Sequence, residues 1–136
     1  MTGASSKKAL KRATPEGQEV PYVVDPFFPR RQVLAERNLP DDGRAIWNDS
    51  WTESCVTMGS AGDDWRGGGD AVGTTFSSFD AMDMILEKLG DRKLFPNLRR
   101  VVVTGFSAGG QFVGRYVAVG KGKVRDGVTV EYAAMA

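Results

Sequence analysis

A serine lies between two glycines in the stretch Val101–Gln111, in the order Gly105-Phe106-Ser107-Ala108-Gly109. The pattern G-x-S-x-G is typical of a serine nucleophile placed on a sharp turn between a strand and a helix. Such a serine attacks an acyl carbonyl, and the amide of the next residue stabilises the oxyanion that forms. Ser107 is therefore the candidate nucleophile, and the backbone N–H of Ala108 is the candidate oxyanion donor.

The two glycines have a steric reason to flank the serine. Gly105 and Gly109 lie two residues before and after Ser107, where side chains would crowd a tight turn. The motif arises easily by chance in a chain with 17 glycines, so its place between a strand and a helix carries the argument. The alternative is that Ser107 merely occupies a glycine-rich strand-to-helix turn.

Glycine-rich nucleotide-binding motifs fit this region less well. Dinucleotide-binding patterns would need glycine at Ser107 or at Gln111. A phosphate-binding P-loop would need serine or threonine directly after Lys121 or Lys123, and neither is present.

Alternating strands and helices are predicted around the motif. Ser77 is a candidate N-cap with a carboxylate, Asp80, three residues later, and the apolar spacing that follows predicts a helix that ends at Gly90. The predicted elements after it are a β-branched strand at Arg100–Thr104, a helix at Ala108–Val119 and a strand at Gly127–Ala134.

The sequence before Ser77 has less regular patterns of apolar and polar residues. Val20–Asp25 predicts a buried strand bounded by prolines. Arg30–Arg44 is polar and turn-rich, Ala45–Trp51 contains a candidate short strand, and Gly59–Gly73 predicts a long surface loop. The order of elements predicts an α/β fold, with a parallel sheet of about four strands flanked by helices.

Composition limits the classes of partner and cofactor. The chain has 136 residues and a net charge of +1, which indicates one domain and no nucleic-acid or anionic membrane partner. No apolar run approaches the roughly 18 residues of a membrane-spanning helix. The single cysteine, Cys55, and the absence of histidine argue against a disulfide framework and a metal site. We expect no cofactor.

The first residues are basic and small, without an acidic residue before Glu16. They contain no apolar region of a secretory signal. We expect residues 1–19 to form a disordered basic tail and residues 20–136 to form the domain, in a cytoplasmic protein. An organellar transit peptide is the alternative.

Three tryptophans and three aspartates could have either structural or binding roles. Trp47, Trp51 and Trp65 are expected to be packing anchors, with a role in lining a substrate cleft as the alternative. The aspartates at positions 63, 64 and 70 lack the ligand spacing of a calcium loop.

The stretch Phe76–Gly120 resembles the middle of uncharacterised microbial and fungal proteins of the α/β-hydrolase fold. The resemblance is carried by Ser77-Ser78-Phe79 with Met82-Asp83, by Phe95-Pro96-Asn97-Leu98, and by the G-x-S-x-G motif with Gln111 and Arg115-Tyr116. Less specifically, Tyr22–Phe28 resembles the third strand and oxyanion loop of that family, Ala45–Trp51 its tryptophan-containing segment, and Val128–Ala134 its sixth strand.

The resemblance implies hydrolysis of an ester- or amide-type bond in a small-molecule acyl substrate. It implies a second oxyanion donor in the loop after Val24, the backbone N–H of Phe28 or of Phe27. Family members usually have histidine where this chain has Phe106. The triad acid and histidine of the family follow the sixth strand, so we expect a domain that is incomplete after that strand.

Without histidine, Ser107 lacks the base that activates a serine nucleophile. We therefore expect little or no turnover by these residues. The alternative function is a non-catalytic hydrolase remnant that serves as a binding module. An open sheet edge would then favour self-association.

Overall fold

The computed structural model describes residues 21–48 and 64–135. Several predictions lie outside the described residues: the basic tail at 1–19, and the roles of Trp51, Cys55, Gly59, Gly62 and Asp63.

The described residues form three α-helices, a short 3-10 helix and two strands. In chain order they are α1 (Arg31–Glu36), the 3-10 helix (Trp65–Gly67), α2 (Ser78–Leu89), β1 (Arg100–Phe106), α3 (Ala108–Val119) and β2 (Thr129–Met135). The two strands pair in parallel, with Arg100 opposite Thr129 and Phe106 opposite Met135. The fold is therefore mixed α/β, and α3 connects the two parallel strands.

Helix α2 begins where its capping signal predicts. The Ser77 hydroxyl accepts a hydrogen bond from the Asp80 amide at 3.0 Å, and the Asp80 carboxylate accepts one from the Ser77 amide at 2.8 Å. These two bonds satisfy amides that a helix start leaves without partners. The predicted helix and its end at Gly90 are confirmed.

The core lies between one face of β1 and the helices α2 and α3. Along β1, Val101 and Val103 are buried, whereas Val102 and Phe106 are exposed, Phe106 to 70%. The buried cluster consists of Met82, Leu86, Val101, Val103, Phe112, Val113 and Tyr116. Parallel sheets usually bury both faces, but within the described residues no helix covers the face that carries Val102 and Phe106.

The described sheet has two strands where the sequence predicts about four. Residues 21–25 of the predicted strand Val20–Asp25 have no backbone partner in the described structure, and Val23 is 81% exposed. Of the predicted strand at Ala45–Trp51, only residues 45–48 are described, and they form a single bridge, in which the Trp47 amide donates to the Pro29 carbonyl at 2.9 Å. Both segments have strand-like residues, but no neighbouring strand lies within hydrogen-bonding reach of them in the described structure.

Two loop predictions were incomplete. The polar segment Arg30–Arg44 contains α1, which buries Leu34 but has no side-chain N-cap, so its start carries no sequence signal. Within Gly59–Gly73, the described residues are partly packed, although Asp70, Val72 and Gly73 are exposed. Ala71 is 2% exposed there, and the Ser78 hydroxyl donates to the Trp65 carbonyl at 2.7 Å.

The Arg125 side chain forms hydrogen bonds with both the end of α2 and the loop before β1. Its guanidinium donates to the carbonyl of Gly90 at the end of α2, at 3.2 Å. It also donates to three carbonyls of the loop before β1, those of Phe95 (2.8 Å), Pro96 (3.3 Å) and Leu98 (3.1 Å). Only the planar fork of arginine can serve so many acceptors at once.

Replacing Arg125 by lysine is expected to lower the free energy of unfolding by about 2 kcal/mol, because an ammonium cannot reach these separated carbonyls. The matched control is Arg92→Lys, at an exposed arginine in the loop before β1. This substitution should change stability by less than about 0.5 kcal/mol. Urea denaturation of both variants measures the difference, and equal effects would contradict the role given to Arg125.

The capping box also predicts a pH dependence. Hydrogen bonds from the Ser77 hydroxyl and then from the Ser77 amide hold the pKa of the Asp80 carboxyl below its usual range. Because the folded pKa is lowered, this carboxylate stabilises the fold above its unfolded pKa of about 4, and the contribution is lost as pH falls through the folded value. Asp80→Asn should therefore lower stability at pH 7 and have a shrinking effect below about pH 4.

Urea denaturation at a series of pH values measures this effect. In a Ser77→Ala background the same substitution should show a weaker pH dependence, because the main hydrogen-bond donor to the carboxylate is absent. An effect of Asp80→Asn that stays constant from pH 7 to pH 2 would contradict the assignment.

Candidate active site

Ser107 joins the end of β1 to the start of α3 in an unusual backbone conformation. Its dihedral angles are φ 53° and ψ −117°, and it is one of two non-glycine residues with positive φ among those described, the other being Asn38. A side chain in such a conformation costs on the order of 1–3 kcal/mol and persists only where the surroundings impose it. The Ser107 side chain is exposed.

Close backbone contacts impose this turn. The Ser107 amide donates to the Met135 carbonyl of β2 at 3.0 Å, and the Ser107 carbonyl accepts from the Gln111 amide of α3 at 3.0 Å. A Cβ at Gly105 would overlap the backbone carbonyl of Gly109. The end of β1 and the first turn of α3 therefore approach each other more closely than side chains allow.

The steric reason given for Gly109 does not hold. A Cβ at Gly109 would meet no atom within 4 Å, whereas a Cβ at Gly110 would overlap the Met135 carbonyl. Gly105 is thus crowded as expected, but the second crowded position is Gly110, one residue later. The crowding comes from β2, which is distant in sequence.

Ala108 is the first residue of α3, where helix amides lack intrahelical partners. Within the described residues its N–H donates to no acceptor. The positive end of the helix dipole adds to this amide's attraction for an anion. The arrangement can stabilise a negative oxygen beside Ser107.

Phe28 packs against the helix that carries this amide. Its ring stacks on that of Trp65, with centroids 5.3 Å apart, and lies 5.3 Å from the ring of Phe112 in α3. Phe27, by contrast, is more than half exposed. The aromatic contacts bring the segment around Phe28 to α3, and no hydrogen bond occupies the Phe28 amide in the described structure.

Trp47 is a packing anchor, as expected. It is buried, and its indole Nε1 donates to the Gly69 carbonyl at 2.8 Å. Asp64 has a structural role as well. It accepts a hydrogen bond from the Arg66 amide at 2.8 Å and forms an ion pair with the Arg66 guanidinium.

A hydrogen bond between a buried tyrosine of α3 and an aspartate of α2 was missed in the sequence. The Tyr116 hydroxyl donates to Asp83 of α2 at 2.5 Å, and the Lys121 amide donates to the same carboxylate at 3.0 Å. Burial, and then the hydrogen bond to Asp83, raise the pKa of the Tyr116 phenol well above its usual value. Tyr116 therefore stays neutral, and its role is to position α3.

Acid–base groups are scarce around the serine. The chain contains no histidine, and within residues 21–48 and 64–135 the Ser107 hydroxyl makes no hydrogen bond. In the same residues, no three histidine, cysteine or acidic side chains form a group that could hold a metal ion. No helix in this part of the chain is long and apolar enough to cross a bilayer.

Comparison with models of known protein families, with curated proteins and with solved structures finds no match.

Gly105 and Gly109 form a matched pair for testing the turn. Gly105→Ala places a Cβ against backbone atoms that cannot move independently, and it should lower the free energy of unfolding by about 2 kcal/mol or more. Gly109→Ala adds its Cβ in open space within α3, so it should be neutral or stabilise by up to about 1 kcal/mol. Chemical denaturation compares them, and equal destabilisation would contradict this geometry.

Backbone strain at Ser107 predicts a gain in stability when its side chain is removed entirely. Ser107→Gly should raise the free energy of unfolding by about 1 kcal/mol, the relief of strain being partly offset by the extra freedom of glycine in the unfolded chain. Ser107→Ala keeps the Cβ and therefore keeps the strain. If thermal denaturation placed both variants at the same stability, Ser107 would not be strained.

Proposed function

We propose that this chain carries the nucleophile of an α/β-hydrolase-type serine hydrolase at Ser107. The observation that carries the proposal is the strained conformation of an exposed serine between a parallel strand and a helix, with φ 53° and ψ −117°. Strained residues of this kind cluster at active sites, because the turn holds the reactive side chain clear of the sheet.

In the proposed reaction, the Ser107 Oγ attacks the carbonyl carbon of an ester or amide in a small acyl substrate. The C–O or C–N bond to the leaving group then breaks as the leaving group takes the proton that Ser107 gave to a base, and the acyl group remains on the serine until water releases it. The Ala108 amide stabilises the tetrahedral oxyanion, and we propose the Phe28 amide as the second donor. The unoccupied Ala108 N–H at the start of α3 supports the first assignment.

The same proposal places β1 and β2 in a larger parallel sheet of about four strands. Two observations support a larger sheet. The face of β1 with Val102 and Phe106 is uncovered within the described residues, and β1 pairs on one edge alone there. Parallel strands are ordinarily central and covered on both faces.

Activation of Ser107 requires a base. Since the 136 residues contain no histidine, the base has to be another residue type or lie outside these residues. A serine hydroxyl without a base remains protonated and is a poor nucleophile. We therefore expect the 136 residues to hydrolyse a p-nitrophenyl ester little faster than their Ser107→Ala variant does.

Labelling with a fluorophosphonate tests the nucleophile separately from turnover. We expect slow modification that maps to Ser107 among the eight serines of the chain. The reagent's phosphorus accepts the Ser107 oxygen as fluoride leaves, and the oxyanion donors favour this one serine. Mass spectrometry of the digested protein locates the adduct.

Ser107→Ala should abolish the adduct, and urea should remove the preference for position 107. Modification that is spread over several serines, or that is equal in folded and unfolded protein, would contradict a nucleophile at Ser107.

A non-catalytic binding module is the second candidate function. The observation that favours it is the absence of any hydrogen-bonding partner for the Ser107 hydroxyl within the described residues. An unpaired edge of β1 would then serve to bind another chain, including a second copy. Absence of selective labelling at Ser107 would favour this candidate.

A further inference from the structure

The sheet face that points away from α2 and α3 is exposed at its carboxyl end. Side chains alternate between the two faces along a strand, and Val103 of β1 and Val130 of β2 pack in or against the core. Even-numbered residues of β1 and odd-numbered residues of β2 therefore point to the opposite face. From the carboxyl end, the pairs on that face are Phe106 with Met135, Thr104 with Ala133, and Val102 with Glu131.

Five of these side chains form a continuous stripe, which consists of Val102, Thr104, Phe106, Ala133 and Met135. All five are exposed, Phe106 to 70%, Met135 to 50% and Val102 to 48%. Four of them are wholly apolar, and Thr104 adds a methyl group. Single exposed apolar residues are ordinary on protein surfaces, whereas a contiguous apolar stripe marks a binding surface.

One end of the stripe lies at the proposed nucleophile. Phe106 directly precedes Ser107, and the Met135 carbonyl accepts the hydrogen bond of the Ser107 amide at 3.0 Å. Ligands of parallel α/β sheets bind outside the carboxyl ends of the strands. A hydrocarbon chain that is joined to an acyl group on Ser107 therefore meets the stripe at Phe106 and Met135.

The other end of the stripe is closed by charge. The Arg100 guanidinium lies 3.9 Å from the Glu131 carboxylate, on the same face and next to Val102. An apolar chain that crossed this ion pair would remove water from both charges without replacing it. The stripe therefore ends at Val102, which lies roughly 13 Å along the strand from Phe106.

We propose that the stripe binds the hydrocarbon chain of the acyl group that Ser107 accepts, so that the substrate is an ester or amide of an unbranched fatty acid. This inference rests on the proposed function, because the chain is held at one end by its bond to the acyl carbon. An extended backbone and an alkyl chain are both zigzags, and a strand contains three backbone bonds per residue. The stripe therefore matches an alkyl chain of about 12 carbons.

Contact along the stripe determines how much each carbon contributes to binding. Complete burial of one methylene strengthens binding roughly fourfold, and contact on one side only should give roughly a twofold gain. An alkyl chain also supplies part of the cover that parallel sheets ordinarily have on both faces. Further strands of a larger sheet would lie beside β1 along its edge and would leave this face open.

A second copy of the chain is the alternative occupant. Two such faces could pair across a twofold axis and bury the same apolar side chains. That pairing does not require the stripe to begin beside Ser107 or to end at an ion pair. Both features suit a hydrocarbon chain that is tethered at the serine.

A series of alkyl fluorophosphonates tests the proposal by chain length. In each reaction the Ser107 oxygen replaces fluoride on phosphorus, and the hydroxyl proton passes to solvent. With chains of about 4 to about 16 carbons, below micelle-forming concentrations, the rate constant for Ser107 modification should rise roughly twofold per methylene and level off at about 12 carbons. Mass spectrometry of the digested protein measures this rate constant.

Two valine variants locate the far end of the stripe. Val102→Ser removes the apolar surface there, so the rate constants should level off about six carbons earlier, at Thr104 and Ala133. Val117→Ser is the matched control, at a valine of α3 that is 54% exposed and lies outside the stripe. It should keep the original profile, and equal profiles for the two variants would contradict the position given to the chain.

NMR with an unreactive ligand separates the stripe from the nucleophile. Dodecylphosphonate, in which a hydroxyl replaces the fluoride, should move the methyl resonances of Val102 and Met135 and leave those of Val117 in place. This result without modification of Ser107 would retain the apolar site but contradict the nucleophile, and with it the assignment to an acyl substrate. Modification of Ser107 at rates independent of chain length would retain the nucleophile and overturn the stripe.

Movement of the same methyl resonances with protein concentration, in the absence of ligand, would also overturn the proposal, because a second copy would then cover the stripe.

Discussion

The backbone contact at the end of β1 determines where every group around Ser107 lies. The Ser107 amide donates to the Met135 carbonyl, and Gly110 leaves no room for a side chain beside that same carbonyl. At this point, the end of β1, the end of β2 and the first turn of α3 contact one another through backbone atoms. Such a contact permits one geometry, which explains how a serine is held at φ 53° in spite of the strain.

The helix that follows this turn is also fixed from its buried side. Phe112 and Tyr116 stack at a ring distance of 5.8 Å, and Tyr116 is held by the carboxylate of Asp83 in α2. Phe28 packs on the same helix through Phe112. The Ala108 amide and the segment around Phe28 therefore both depend on the position of α3.

Local signals predicted the elements that surround the site. The capping box at Ser77, the β-branched run of β1 and the glycine at position 120 after α3 act within a few residues, and each marks an element that is present. The short helix α1 was missed because its N-cap, Arg30, makes no capping bond through its side chain. A strand at residues 20–25 was predicted from its β-branched residues, but pairing depends on a neighbouring strand that these residues do not specify, and residues 21–25 have no backbone partner in the described structure.

The site predictions that failed also involve contacts between residues that are distant in sequence. Gly110, rather than Gly109, is crowded because β2 passes there, and the carbonyls that Arg125 binds lie 27 to 35 residues before it in the chain. Neither contact has a signature in sequence spacing. The residues that such contacts fix can be identified only once the strands are paired.

The proposed chemistry depends on one interaction, the hydrogen bond from the Ala108 amide to an oxyanion formed on Ser107. Two-dimensional ¹⁵N–¹H NMR of the chain before and after reaction with a fluorophosphonate measures it directly. We expect the Ala108 amide proton to move strongly downfield in the Ser107 adduct, because it then donates to the phosphonyl oxygen. An adduct on Ser107 that leaves the Ala108 resonance unchanged would contradict Ala108 as the oxyanion donor.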